Sequence, residues 1–284
     1  MNVNIVLLND QHAIYQQALW LIDGNGWAAS DKPDPNADVN YYMPYLKWEL
    51  DEHPNTPTAA LFTHYEQGTA WKVDKWQDAA MFIDMPIVEA PMYCSVLKNA
   101  RVVTACVDRD RFTPGQRPAN KRLNIGVAGV GQPRKGPKLI VDLFYQNAVE
   151  CELSIIGKLW PFPHRYIEPD DLPDWYRSLD IYLCTSLIEG IPLPVLEALA
   201  TDTKVVIPHG VGICDQLPEM EGIRHYDKGY GPDMLRAIKQ AAEDKPSEGS
   251  LRAVTEDYTI EDWCESHYKA MEELCESAYY TLER

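Results

Sequence analysis

Short apolar runs alternate with segments of helical periodicity in the first part of the chain. The run Val3–Leu8 precedes an amphipathic segment that starts at His12. Further elements are predicted beyond it, with strands at Val39–Met43, Ala59–Thr63, Met81–Ile83 and Val102–Cys106 and helices at Val73–Ala80 and Met92–Asn99. Strands that alternate with helices predict a parallel sheet with helices on both faces.

The pattern breaks between Thr113 and Lys121, where PGQRPANK is polar and rich in turn formers. The alternation then resumes, with strands at Leu123–Val130, Leu153–Gly157, Ile181–Thr185 and Lys204–Pro208 and helices from Lys138, at Pro173–Ser178, at Pro194–Ala200 and from Asp233. A last amphipathic segment, Ile260–Leu274, has no strand after it. We therefore predict two Rossmann-like domains at 1–113 and 122–256, a linker at 114–121 and a helical segment at 257–284.

The most informative stretch is Tyr182–Ala200, in which a buried strand leads into a loop with Glu189 and Gly190. A helix is expected to begin at Pro194, because proline is favoured at a first helical position. The amides at this helix start would face the carboxyl edge of the sheet. Such a helix end attracts anions, so it predicts a diphosphate site.

Glu189 and Glu197 are separated by seven residues, one before the helix and one inside it. Carboxylates beside an anion site can accept hydrogen bonds from the hydroxyls of a sugar and a ribose. The alternative is that Glu197 is a surface helix residue and Glu189 a solvated loop charge.

The net charge is −17, which argues against affinity for nucleic acid over the whole surface. The stretch from Lys98 to Lys138 is the exception, with ten basic residues against Asp108 and Asp110. This basic island indicates one anion site, or else a solvated linker with scattered positive charges. The longest apolar runs are of strand length, and MNVNIVLL has neither a basic leader nor a cleavage site. We expect a cytoplasmic protein (host cytoplasm if phage-encoded) without a membrane span.

The stretch SLIEGIPLPVLEALA resembles the signature of the retaining family-4 glycosyltransferases of the GT-B fold. The resemblance extends over LNIGVAGVGQPRKGPKLIVDLF, LPDWYRSLDIYLCTS and DTKVVIPHGVGICDQL, over TACVDRDRFTPG at the linker, and over DYTIEDWCESHYKAMEEL at the end. It implies two Rossmann-like domains that face each other across a cleft, with the closing helix crossing back onto the first. It also implies transfer of a sugar from a nucleotide-diphosphate sugar, with UDP expected, to a hydroxyl. The resemblance further implies that neither a metal nor another cofactor is required, with the donor as a co-substrate.

The resemblance assigns roles to individual residues. Glu197 would hold the ribose hydroxyls, and Glu189 would lie beside the transferred sugar and favour the positive charge that develops at its anomeric carbon. Lys135 would stabilise the departing diphosphate. The remaining donor-binding positions are Arg134, Gly131, Gly190, Ile191 and Leu193.

Several positions depart from the family pattern, and two of them fall among the donor-binding residues. Val130 stands where the family usually has an arginine, and Arg134 is the nearby residue that could replace it. Pro192 removes one N–H from the sugar-binding loop. These departures motivate one alternative function, a non-catalytic nucleotide-sugar-binding protein.

In the first domain, His64 follows a strand and matches a histidine that the family keeps near the reacting sugar. An ordinary structural histidine is the alternative. Asn9, Gln11 and His12 follow the first strand and are expected on the acceptor side. The acceptor class stays open among a glycan, a small molecule and modified DNA. The compact first domain resembles phage-borne transferases, so the other alternative function is glycosylation of hydroxymethylated pyrimidine bases in DNA.

Overall fold

The computed structural model describes residues 1–7, 13–49, 55–103, 105–118, 122–145 and 150–282. The chain divides into two compact units. The first contains Met1–Ala105 and Ile260–Arg284, and the second contains Cys106–Thr259. The closing helix therefore joins the first unit, as the resemblance to the GT-B fold implies.

The first unit has, in its described part, a six-stranded parallel sheet in the order β2-β1-β3-β4-β5-β6. Its strands are β1 (Val3–Leu7), β2 (Ala28–Ser30), β3 (Val39–Met43), β4 (Thr58–Leu61), β5 (Met85–Val88) and β6 (Arg101–Val102). Its helices are α1 (Ala13–Asn25) and α2 (Ala70–Phe82), together with the closing helix α8 (Ile260–Leu282).

The core of the first unit requires the closing helix. Trp263, His267 and Met271 recur at a helical spacing of four residues and are all fully buried. His267 Nε2 lies 3.0 Å from the Tyr41 hydroxyl on β3, and Trp263 Nε1 donates to the Gln17 carbonyl on α1. The amphipathic pattern of residues 260–274 thus reflects burial against α1 and the sheet.

Two predicted elements of the first unit are wrong. Met81–Ile83 is the end of α2 and not a strand, since Met81 and Phe82 stay 74% and 44% exposed and need no sheet to cover them. Residues 92–99 do not form a full helix; a short 3-10 turn, Pro91–Ser95, replaces it. Strand β5, which the sequence pattern did not predict, follows α2 directly.

The second unit has, in its described part, a five-stranded parallel sheet in the order β11-β10-β9-β7-β8. The strands are β7 (Leu123–Val130), β8 (Cys151–Lys158), β9 (Ile181–Leu183), β10 (Lys204–Pro208) and β11 (Ile223–Tyr226). The helices are α3 (Pro137–Tyr145), α4 (Leu172–Arg177), α5 (Leu193–Ala200), α6 (Gly231–Glu243) and α7 (Ser250–Ala253). Buried residues of the central strands, such as Ile125 and Leu183, pack with Met234 and Ile238 of α6.

The second unit begins at Cys106, earlier than the predicted domain end at residue 113. Hydrogen bonds explain the difference. The Val107 N–H donates to the Tyr258 carbonyl, and the Arg252 guanidinium donates to the carbonyls of Arg109 and Phe112. The segment before the predicted linker is therefore tied to the end of the second unit. Among the described helices none is long and apolar enough to cross a bilayer.

Candidate functional site

The start of α5 presents unengaged amides. The chain leaves β9 at Leu183, and the helix begins at Leu193 with Pro194 in its first turn, close to the position that the sequence predicts. Within the described part of the chain, the N–H groups of Gly190, Ile191 and Leu193 have no hydrogen-bond acceptor. These amides, together with the positive end of the helix dipole, form a place for an anion.

Glu189 lies at the centre of a charged cluster. The side chain is buried, and its Oε1 accepts from the Arg134 guanidinium at 2.8 Å, the Lys135 ammonium at 2.5 Å and the Ser186 hydroxyl at 3.0 Å. The structure therefore brings together three residues that sequence reasoning assigned to the site. Ser186 was not predicted, although its place three residues before Glu189 was a usable signal.

The loop that carries the two cations is fixed to the loop after β9. The Leu187 N–H donates to the Arg134 carbonyl at 2.7 Å, and the Thr185 hydroxyl donates to the Lys135 carbonyl at 2.6 Å. Gly136 has φ +62°, and a Cβ at this position would lie 2.2 Å from the Thr185 carbonyl oxygen. Only glycine permits this approach at so small a cost. The pairing of β7 with β9 places the two loops side by side.

Gly131 has a steric role at the carboxyl end of β7. Its N–H donates to the Lys158 carbonyl at 2.8 Å, and a Cβ would lie 2.7 Å from the Leu159 carbonyl oxygen. The N–H that a phosphate would use is thus already engaged. What Gly131 contributes is the absence of a side chain where the loops after β7 and β8 meet.

A third loop, which sequence reasoning did not assign to the site, packs against the backbone of Gly190. Gly212, after β10, has φ +54°, and a Cβ there would lie 2.1 Å from the Gly190 carbonyl oxygen. Asp215 holds this loop by accepting from the Gly210 N–H through both carboxylate oxygens. The paired glycines in HGVG, directly after a predicted strand, were the available signal.

Glu197 has partners of its own. The Tyr176 hydroxyl on α4 donates to Glu197 Oε2 at 2.6 Å. Burial raises the pKa of the Glu197 carboxyl, while the Tyr176 hydrogen bond and the charge of Arg111 oppose the rise. Tyr176 is itself buried, with its ring edge against Phe112. Sequence reasoning missed Tyr176. The segment LPDWYRSLD does not show which of its aromatic residues uses a polar group as a hydrogen-bond donor.

The first unit holds the other predicted residues. His64 follows β4, with Nδ1 3.2 Å from the Thr63 hydroxyl and Nε2 3.5 Å from Glu66 Oε2. Glu66 also pairs with Lys72. His64 therefore lies in a polar, partly exposed setting and not in the core. Asn9, Gln11 and His12 lie outside the described residues.

The arginines of the basic island have different partners in the described part of the chain. Five of its six arginines have separate partners: Arg101 pairs with Glu273, Arg111 with the Pro169 carbonyl, Arg117 with the Asp202 carbonyl, Arg122 with Glu150 and Arg134 with Glu189. The part of the island that converges on one point is the pair Arg134 and Lys135. Of the two interpretations of the basic island, one anion site or a linker with scattered charges, the anion site therefore fits Arg134 and Lys135 alone.

Asp108 and Asp110, the two acids of the basic island, lie in a turn in which Asp108 Oδ1 accepts from the Arg111 N–H at 2.9 Å. Over the ranges that the structure describes, no group of three or more His, Cys, Asp or Glu side chains is arranged to hold a metal ion.

Comparisons with known proteins agree with this geometry. Residues 124–244, all within the second unit, match the family described as glycosyl transferases group 1. No curated protein matches the sequence.

Solved glycosyltransferase structures match nearly the whole chain. HepE from Anabaena, in complex with UDP and glucose, has a TM-score of 0.76 at 10% identity over 96% of this chain and 100% of that one. A sucrose-phosphate synthase from Thermosynechococcus elongatus has a TM-score of 0.71 at 13% identity over 99% of both chains. The lipopolysaccharide outer core galactosyltransferase WaaB has a TM-score of 0.71 at 11% identity over 96% and 99%. At such identities the likeness establishes the fold, which is GT-B.

Proposed function

We propose that this protein is a retaining, metal-independent glycosyltransferase, which transfers a sugar from a nucleotide-diphosphate sugar to a hydroxyl. The observation that carries the proposal is the convergence of Arg134, Lys135 and Glu189 in the group 1 domain. The unengaged amides at the start of α5 lie directly after Glu189 in the chain.

In the proposed reaction, two cations take the place that a metal ion has in other transferases. Bond cleavage leaves negative charge on the diphosphate, and Lys135 and Arg134 would stabilise this charge as it develops. The amides of Gly190, Ile191 and Leu193 would contact the phosphates and the sugar. Glu189 would favour the positive charge that develops at the anomeric carbon.

The proposed donor is a UDP-sugar. The support is the resemblance of the signature, together with structural neighbours that were solved with UDP, with UDP and glucose, and with UDP-glucose. Glu197 would accept hydrogen bonds from the ribose. For that role its carboxylate must be ionised; burial raises the pKa of this carboxyl, and the hydrogen bond from Tyr176 opposes the rise.

The acceptor is a hydroxyl of a glycan, a small molecule or a modified base. Five arginines of the basic island have separate partners, so the island does not support a DNA acceptor, and that alternative rests on the compact first domain. A DNA acceptor would show itself by binding that weakens steeply with added salt.

The decisive experiment measures hydrolysis of UDP-sugars without an acceptor, followed by a screen of hydroxyl acceptors. Lys135→Ala should abolish turnover, and Lys239→Ala on the exposed face of α6 is the matched control. Activity should persist with a chelator present, and the product should keep the anomeric configuration of the donor, measured by NMR.

An inverted product would refute the retaining mechanism, and loss of activity with the chelator would refute metal independence. Binding of UDP without any hydrolysis or transfer would favour the non-catalytic alternative that Val130 and Pro192 motivate.

A further inference from the structure

The carboxylate of Glu189 pairs with the two cations assigned to the diphosphate. Its Oε1 lies 2.5 Å from Lys135 Nζ and 2.8 Å from the Arg134 guanidinium. Both are charge-assisted contacts, in which a cationic N–H donates to a carboxylate. The Glu189 side chain is 8% exposed, and those of Lys135 and Arg134 are 13% and 20% exposed. Water therefore screens these contacts less than it screens surface ion pairs.

A diphosphate that binds to Lys135 and Arg134 must replace contacts that already exist. One carboxylate charge on two cations leaves a net local charge of +1 instead of +2. An incoming anion gains its own contacts and loses those of Glu189 to the same nitrogens. The affinity for a diphosphate is thus lower than two unpaired cations would give.

We propose that Glu189 has a second role, as an internal competitor that weakens binding of the product nucleoside diphosphate. This inference rests on the proposed function and adds to it a mechanism for product release. While the donor is bound, the carboxylate lies beside the sugar. After transfer the sugar is gone, and the carboxylate returns to Lys135 and Arg134 as the diphosphate leaves.

Ser186 positions the carboxylate for this return. Its hydroxyl is buried and donates to the same Oε1 at 3.0 Å. Ser186 lies at the carboxyl end of β9, next to Thr185, which is bonded to the Lys135 carbonyl. The hydroxyl that binds the carboxylate therefore belongs to the same loop that is hydrogen-bonded to the loop of Arg134 and Lys135.

The test is the affinity of the whole chain for UDP and for inorganic pyrophosphate, measured by calorimetry. Glu189→Gln keeps the size of the side chain and removes its charge. We expect it to bind both probes about tenfold or more tightly than the natural protein, the change that about 1.4 kcal/mol represents. Ser186→Ala should shift both affinities in the same direction by less. Glu221→Gln, an exposed residue, makes the same change in net charge and should alter neither affinity.

A second measurement needs no variant. In a crystal structure of the natural protein with UDP, the distance from Lys135 Nζ to Glu189 Oε1 should exceed the 4 Å limit of an ion pair. UDP bound with that contact intact would refute the competition, as would equal or weaker binding of both probes to Glu189→Gln. If neither protein binds any nucleoside diphosphate, the proposed donor site itself is wrong.

Discussion

Glu89 offers a sharp test of the energetics of the first unit. The residue follows β5 and is 5% exposed, and its Oε1 accepts from the Gln17 amide at 3.0 Å. Burial raises the pKa of its carboxyl from 4.5 to about 8. Glu89 is therefore protonated in the folded protein at neutral pH, whereas the unfolded chain ionises it near pH 4.5. The substitution that removes this titration is Glu89→Gln, whose side-chain oxygen can accept the same hydrogen bond.

The direction of the pH dependence follows from this raised pKa. The stabilisation that comes from the protonated carboxyl is complete below pH 4.5 and is lost as the pH rises towards 8, because only the unfolded chain releases the proton in that window. At about 1.4 kcal/mol for each pH unit, the natural protein loses about 4 kcal/mol relative to Glu89→Gln between pH 5 and pH 8. That loss corresponds to a difference in Tm on the order of 10 °C.

The assay is calorimetric unfolding of both proteins at pH 5 and pH 8. His267 acts with the opposite sign, because burial lowers its pKa to about 4 and destabilises the protein as the pH falls below 6.5. It is present in both chains, so its effect cancels in the difference. A Tm difference that stays constant between pH 5 and pH 8 would refute the reasoning.

Three further predictions concern the site and the closing helix. Gly136→Ala should lower kcat/KM and Tm together, since its Cβ would lie 2.2 Å from the Thr185 carbonyl oxygen and displace the neighbouring Lys135; unchanged kinetics would contradict this. Tyr176→Phe should weaken binding of UDP and leave binding of inorganic pyrophosphate unaffected, because only the proposed ribose contact of Glu197 depends on the phenol; calorimetry with both probes distinguishes this from a general loss of structure. Truncation after Glu256 should expose the core that α8 covers and lower the Tm of the first unit, which a scan of the shortened chain would check.

The alternation of strands and helices could be predicted from the sequence, because periodicity is a local property. The start of α5 is the clearest case, since Pro194 and the loop with Gly190 before it indicate where the helix begins. Strand Lys204–Pro208 has the predicted bounds for a similar reason, as a buried run between turn residues. Met81–Ile83 fails because a short apolar run suits the end of a helix as well as a strand.

By itself, the sequence determined that this chain has two α/β halves and a glutamate motif at a helix start. The tertiary structure alone decided which side chains meet there. Glu189 lies more than 50 residues from Arg134 and Lys135 in the chain, and they meet because β9 pairs with β7. The order of strands in a parallel sheet depends on packing over the whole unit, which no local pattern encodes. The same reason explains why the partners of Glu197 and Glu89 had to be read from the structure.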